Sequence, residues 1–177
     1  MLFRSGVGNS QETRDQVDQI VAAWSRERPE LDLSALAVLS RITRIARHLD
    51  IARRSAFEAH GLETWAFDVL AALRRAGAPY ELSIGTLLTE TLVTSGTMTN
   101  RVDKLVEQGL VERRPHESDK RVVFVRLTSH GKVRVDSALT DLLKGEEILI
   151  ANISKKDRIL MADLLSQILT PLDDIED

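Results

Sequence analysis

Apolar residues recur along this chain at three- and four-residue steps for most of its length, and the step shortens to two in only one stretch. Gln11 to Arg26 carries Val17, Ile20, Val21 and Trp24 on one helical stripe; Pro29 closes that helix, and Glu30–Leu33 reads as a short connector. A longer helix is predicted from about Ser34 to Ala59. Its apolar positions are Leu36, Leu39, Ile42, Ile45, Leu49 and Ala52, with Arg41, Arg44, Arg47, Arg53 and Arg54 filling much of the rest and Gly61 as its stop. Thr64–Ala76 is a third helix, closed by Gly77 and Pro79. Tyr80–Leu82 is a short extended piece, and Ser83 is placed to cap a helix Ile84–Glu90. After a tight connection, Thr94 opens a helix to Gln108 with Met98, Val102 and Leu105 inward and Gly109 as its stop.

Beyond Gly109 the period becomes that of a strand. Leu110–Arg114 and Val122–Leu127 flank Pro115–Arg121, a hairpin with a polar, basic tip. Thr128 or Ser129 then caps a long helix to about Asn152. Ser154 with Asp157 makes a capping-box-like start for the last helix, which Pro171 is expected to end. The fold class is therefore mainly α with a small β-hairpin wing: a winged helix-turn-helix flanked by further helices.

Charge sharpens this picture. The net formal charge of −3 argues against nucleic acid, but residues 94–134 hold nine Lys or Arg against five Asp or Glu, while 135–177 hold four against ten. Phosphate binding needs local rather than net charge, so the basic segment coincides with the part whose pattern predicts a DNA-reading element. Ser95, Thr97, Thr99, Asn100 and Lys104 offer short donors and acceptors plus a cation on the outer face of the second short helix, suited to base edges or phosphates in a major groove. Arg114, Lys120 and Arg121 on the hairpin suit the adjacent minor groove or backbone.

Other chemistries find less support. The chain has no cysteine, which excludes disulfides, thiolate metal sites and cysteine nucleophiles. His48, His60, His116 and His130 are scattered, no metal-ligand spacing occurs and no glycine-rich phosphate loop follows a strand, so neither an enzyme, a metal site nor a cofactor is expected. No apolar run has membrane-spanning length and the N-terminus lacks a hydrophobic signal core, so a cytoplasmic protein is expected. A winged helix used as a protein-interaction module is the competing class, since that fold does not dictate function.

The stretch Asn100–Arg114, followed by Asp119-Lys120-Arg121 and Leu127-Thr128-Ser129-His130-Gly131, resembles the MarR family of transcriptional regulators. The resemblance implies a homodimer on a palindromic double-stranded operator, with residues 11–62 and 129–172 contributing dimerisation (and 11–62 a ligand pocket) and residues 63–128 forming the DNA-binding region. It also implies that Asp119 steadies the wing while Arg121 enters the minor groove. A narrower similarity, carried by Trp24 and Glu27–Asp32, Phe67–Leu70 and Arg74–Tyr80, is to the PecS-like, urate-responsive branch. That branch's four-residue signature falls on Trp24, Asp68, Arg101 and Arg113. By resemblance, Trp24 and Arg101 contact the purine, while Asp68 and Arg113 pair to hold the recognition helix and are disturbed when an anion arrives.

Each of the four has a plainer reading. Trp24 lies on an apolar stripe and fits a core position; Asp68 fits a solvated helix acid; Arg101 fits a phosphate contact; Arg113 fits a solvated strand residue or a further DNA contact. The expectation is a repressor whose operator binding is attenuated by urate or a similar small anion, with a phenolic or other carboxylate as the alternative ligand. A tenfold attenuation requires about 1.4 kcal/mol of coupling between ligand and DNA.

Overall fold

The computed structural model describes residues 15–91, 94–115 and 122–173. Among these residues, seven helices and three strands run in the order α1 (Gln16–Glu27), α2 (Ser34–Glu58), α3 (Thr64–Arg75), β1 (Glu81–Ser83), α4 (Ile84–Thr91), α5 (Ser95–Glu107), β2 (Val111–Pro115), β3 (Val123–Leu127), α6 (Ser129–Leu149) and α7 (Lys155–Asp173). The mainly α architecture expected from the pattern is thus present. The chain divides into two compact units, one ending at Asp50 and the other beginning at Ile51, with α2 running through the division.

In the first unit, α1 begins later than the apolar stripe predicts. Asp15 stands in extended conformation as N-cap, accepting from the amides of Val17 and Asp18, while the Asp18 carboxylate accepts from the Asp15 amide at 2.9 Å. This reciprocal cap satisfies three of the free amides at the start of the helix. Arg41 of α2 donates to Asp15 at 2.8 Å and to Asp18 at 2.6 Å, so one guanidinium fastens α2 to the capped end of α1 and holds the Asp15 carboxyl below its ordinary pKa. Val17 is buried, but Trp24 at the other end of the stripe is 49% exposed, which removes the core reading of that residue within this chain.

The second unit is built around α3. Val69, Leu70 and Leu73 on its inner face meet Leu87 of α4, Met98, Val102 and Leu105 of α5, and Val125 of β3, all fully buried. Phe57 at the end of α2 stacks on Phe67 with ring centroids 4.1 Å apart. Ser83 accepts from the Thr86 amide at 3.0 Å and starts α4 as its position predicts. At the end of α5, Gly109 adopts φ +68°, and the Gly109 and Leu110 amides return to the carbonyls of Val106 and Leu105, both at 2.9 Å. A left-handed residue is needed there to turn the chain from helix into strand, and glycine pays no Cβ penalty for it.

Two sequence expectations are corrected. The wing sheet has three strands rather than two, in the order β1-β3-β2, because Glu81–Ser83 pairs antiparallel with β3. The piece is too short to show a period, so only the pairing of Leu82 with Val125 reveals it as a strand. Nor does Pro171 end the last helix: α7 continues to Asp173 with Pro171 inside it. So close to the helix end, proline removes one backbone hydrogen bond and has little helix left to disrupt.

The Leu-Thr-x-x-Gly stretch has a geometric cause. Thr128 caps α6 by accepting from the Gly131 amide at 3.0 Å, while its hydroxyl donates to the Gly109 carbonyl at 2.8 Å. A Cβ at Gly131 would lie 2.0 Å from the Leu110 carbonyl oxygen, so the first turn of α6 sits directly on the backbone that leaves α5. One threonine and one glycine therefore fix α6 to the end of α5.

Candidate nucleic-acid interface and anion site

The burial of Met98, Val102 and Leu105 turns the opposite face of α5 outward. Ser95, Thr97, Thr99, Asn100 and Lys104 are all exposed, and Arg101 is half-buried. Short polar side chains and a lysine thus occupy the free face of a helix held rigidly by its apolar one, an arrangement that can reach a groove without distorting the core. Thr97 and Thr94 bring their hydroxyls within 3.0 Å of each other at the helix N-terminus, and Thr99 donates to the Ser95 carbonyl at 3.1 Å.

A residue with no assigned role in the sequence reading completes this face. Trp65, in the first turn of α3, packs partly against the core and presents its ring to α5. The Arg101 guanidinium lies 5.6 Å from the ring centroid and the Lys104 ammonium 5.7 Å, both within reach of the attraction between a cation and the negative face of an indole. The indole Nε1 donates to Glu63 Oε2 at 2.6 Å. Between Trp65 and the side chains of Thr97, Asn100, Arg101 and Lys104 opens a cleft of about 220 Å³.

Asp68 follows Trp65 by three residues and is also at the surface. Its carboxyl pKa is raised above the ordinary range by the protein atoms crowding it, against the lowering pull of Arg101, then Arg53 and Arg75. The carboxylate and the Arg101 cation therefore feel each other's charge, although no hydrogen bond or ion pair joins Asp68 to a neighbour among the described residues. The expected pairing of Asp68 with Arg113 does not form. Arg113 instead donates to Asp103 of α5 at 2.5 Å and reaches the Thr99 carbonyl at 3.4 Å. Strand β2 and helix α5 leave Gly109 side by side, so the nearest carboxylate to Arg113 is one on α5 itself rather than one on α3. Arg113 thus ties the wing strand to α5.

Arg114, also exposed on β2, lies 3.9 Å from Glu81, which is 3.4 Å from Arg126. Arg126 stands between Glu81 and Glu112 in the register of the sheet, so alternating charges cross its three strands in one row. Asp119, Lys120 and Arg121 lie outside the described residues. Trp24 belongs to the first unit, where it is half-exposed on α1.

Comparison with known proteins agrees with this architecture. Residues 60–122 match the model of the MarR family. The chain is 30% identical over 153 residues to the HTH-type transcriptional regulator PecS of Dickeya dadantii, covering 86% of this chain and 92% of the relative. Among solved structures, AbsC, a MarR family transcriptional regulator from Streptomyces coelicolor, superposes with a TM-score of 0.71 at 19% identity, over 81% of this chain and 97% of that one. A mutant of MarR from E. coli, solved in complex with operator DNA, gives 0.63 at 24% identity over 82% and 97% of the two chains. At those identities the two structures speak for the fold, and the family rests on the sequence relative. The chain belongs to the MarR family of transcriptional regulators.

Proposed function

We propose that this protein is a cytoplasmic repressor that binds a palindromic operator as a homodimer and releases it when a small anion of the urate class binds. The observation that carries this reading is the double position of Arg101. It belongs to the α5 face that carries Thr97, Asn100 and Lys104, and of the cations near Asp68 the same guanidinium pulls hardest on that carboxylate. An anion that draws on Arg101 changes both the surface offered to DNA and the balance of charge at Asp68. Because Arg113 fastens α5 to the wing, a displacement of α5 carries the wing strand with it.

Direct reading in the major groove falls to Ser95, Thr97, Thr99, Asn100 and Lys104, and the wing contacts to Arg114, Asp119, Lys120 and Arg121. Ligand response falls to Trp24, Asp68, Arg101 and Arg113. Dimerisation falls to the outer helices. Helix α7 has no buried residue, although Ile159, Leu160, Met161, Leu164, Leu165, Ile168, Leu169 and Leu172 are all at least 37% exposed. An apolar helix face left in water is costly, and a second copy of the chain would cover it.

The test is fluorescence anisotropy with a duplex from upstream of the protein's own gene, or one recovered by operator selection, over a salt series with and without millimolar urate. The reading expects affinity that falls steeply with salt, as counterion release requires, and a dissociation constant raised at least tenfold by urate. Salt-independent association would favour a protein-interaction module. Salt-dependent binding that ignores urate but responds to salicylate would move the ligand to a phenolic carboxylate.

A further inference from the structure

We propose that Trp65 is a positioning residue for DNA binding: its indole face gathers Arg101 and Lys104 onto one side of the recognition helix α5 and presents them as a paired anchor for the phosphate backbone. The proposal rests on the DNA-binding reading above and adds a part outside the helix that reads. Arg101 and Lys104 are three residues apart on α5, so their side chains are neighbours of like charge that repel each other in the absence of an anion. Both nevertheless converge on the Trp65 ring, at 5.6 and 5.7 Å from its centroid.

The ring itself is held from two sides. Its apolar body packs against the core around α3, and its Nε1–H is taken by Glu63 at 2.6 Å. A flexible lysine and arginine thereby gain a fixed platform, and the conformational entropy that each would lose on meeting a phosphate is partly lost before DNA arrives. The cleft between the two cations, Thr97 and Asn100 then remains open on the face that meets the duplex.

The proposal separates the ring's electrostatic face from its bulk. Trp65→Leu keeps an apolar side chain at the core and removes the quadrupole; Trp65→Phe keeps a smaller aromatic face and removes the link to Glu63. With operator duplex at near-physiological salt, Trp65→Leu is expected to weaken binding about fivefold and Trp65→Phe by less than about twofold, the difference being the cation–ring attraction. In an Arg101→Gln, Lys104→Gln background, Trp65→Leu is expected to cost nothing further, which a merely structural role for the ring would not produce. Thermal melting of each variant checks the fold, and Trp65→Met replaces leucine if that variant unfolds. Leucine binding as tightly as wild type, phenylalanine losing as much as leucine, or an undiminished loss in the double-glutamine background would each overturn the positioning role. A wild-type protein that binds no duplex at any salt would instead overturn the DNA-binding reading and this proposal with it.

Discussion

Helices α3 and α7 make an instructive contrast. Both are rich in leucine and isoleucine or valine at helical spacing, but α3 buries six residues while α7 buries none. The difference lies in what each finds to pack against. α3 is surrounded by α4, α5, α6 and the sheet, so its apolar face is covered by the chain's own side chains. α7 comes last and presents its apolar residues to solvent along its whole length. The lobe around α3 therefore covers its apolar face with the chain's own side chains, and α7 does not.

Core truncation has the largest expected effect on stability and should not depend on protein concentration. Leu73→Ala, at a fully buried site, is expected to lower unfolding stability by about 2–5 kcal/mol in denaturant titrations at any dilution. Leu164→Ala, 52% exposed in the single chain, is expected to lower the melting temperature most at high protein concentration and less on dilution, where wild type also loses the second copy proposed to cover this residue. Equal behaviour of the two variants would erase the contrast.

Charging the α7 face acts on assembly. Leu160→Glu with Leu164→Glu is expected to give a folded monomer by sedimentation and to weaken operator binding about 100-fold, as the second half-site no longer binds as part of the same molecule. Circular dichroism should show the α3-centred lobe still folded. A dimer of unchanged affinity would assign α7 another role.

Arg113→Ala tests the tie between wing and recognition helix. The pair with Asp103 is partly exposed, so the stability loss is expected to stay under about 1 kcal/mol. DNA affinity is expected to fall several-fold, because α5 and β2 lose their fixed orientation. Stability and affinity falling together, with no excess in affinity, would make the pair merely structural.

The smallest effect concerns Asp68. Its folded pKa is raised, so the folded state takes up this proton before the unfolded one does. Wild type is therefore expected to gain stability relative to Asp68→Asn as pH falls from neutral through the raised folded value toward the ordinary 3.8, with no further change below that. At neutral pH the asparagine variant should be at least as stable as wild type. Greater stability of wild type at neutral pH would mean that the arginines around Asp68 outweigh its loss of solvent.

The sequence made α5 and its inward residues legible because a helical apolar period met a glycine stop, and it made Thr128 and Gly131 visible as a motif before their packing explained it. What stayed hidden was partnership across the fold. Asp68 and Asp103 are both acidic residues on helices, and nothing in their spacing says which one Arg113 will meet. Trp65 sits near Asp68 in sequence, but the two cations over its ring come from another helix, so no local pattern announces it. The extended piece around Glu81 and Leu82 is legible, but its pairing with β3 is not, because three residues cannot display a period; Pro171 fails as a stop because α7 continues through it to Asp173.

The most direct test of the account is sedimentation velocity of the full chain with a palindromic operator duplex at near-physiological salt, with and without urate. The account predicts two protein chains per duplex at saturation, and free dimer plus free duplex when urate is added. One chain per duplex, or no complex with an operator obtained by selection, would contradict it.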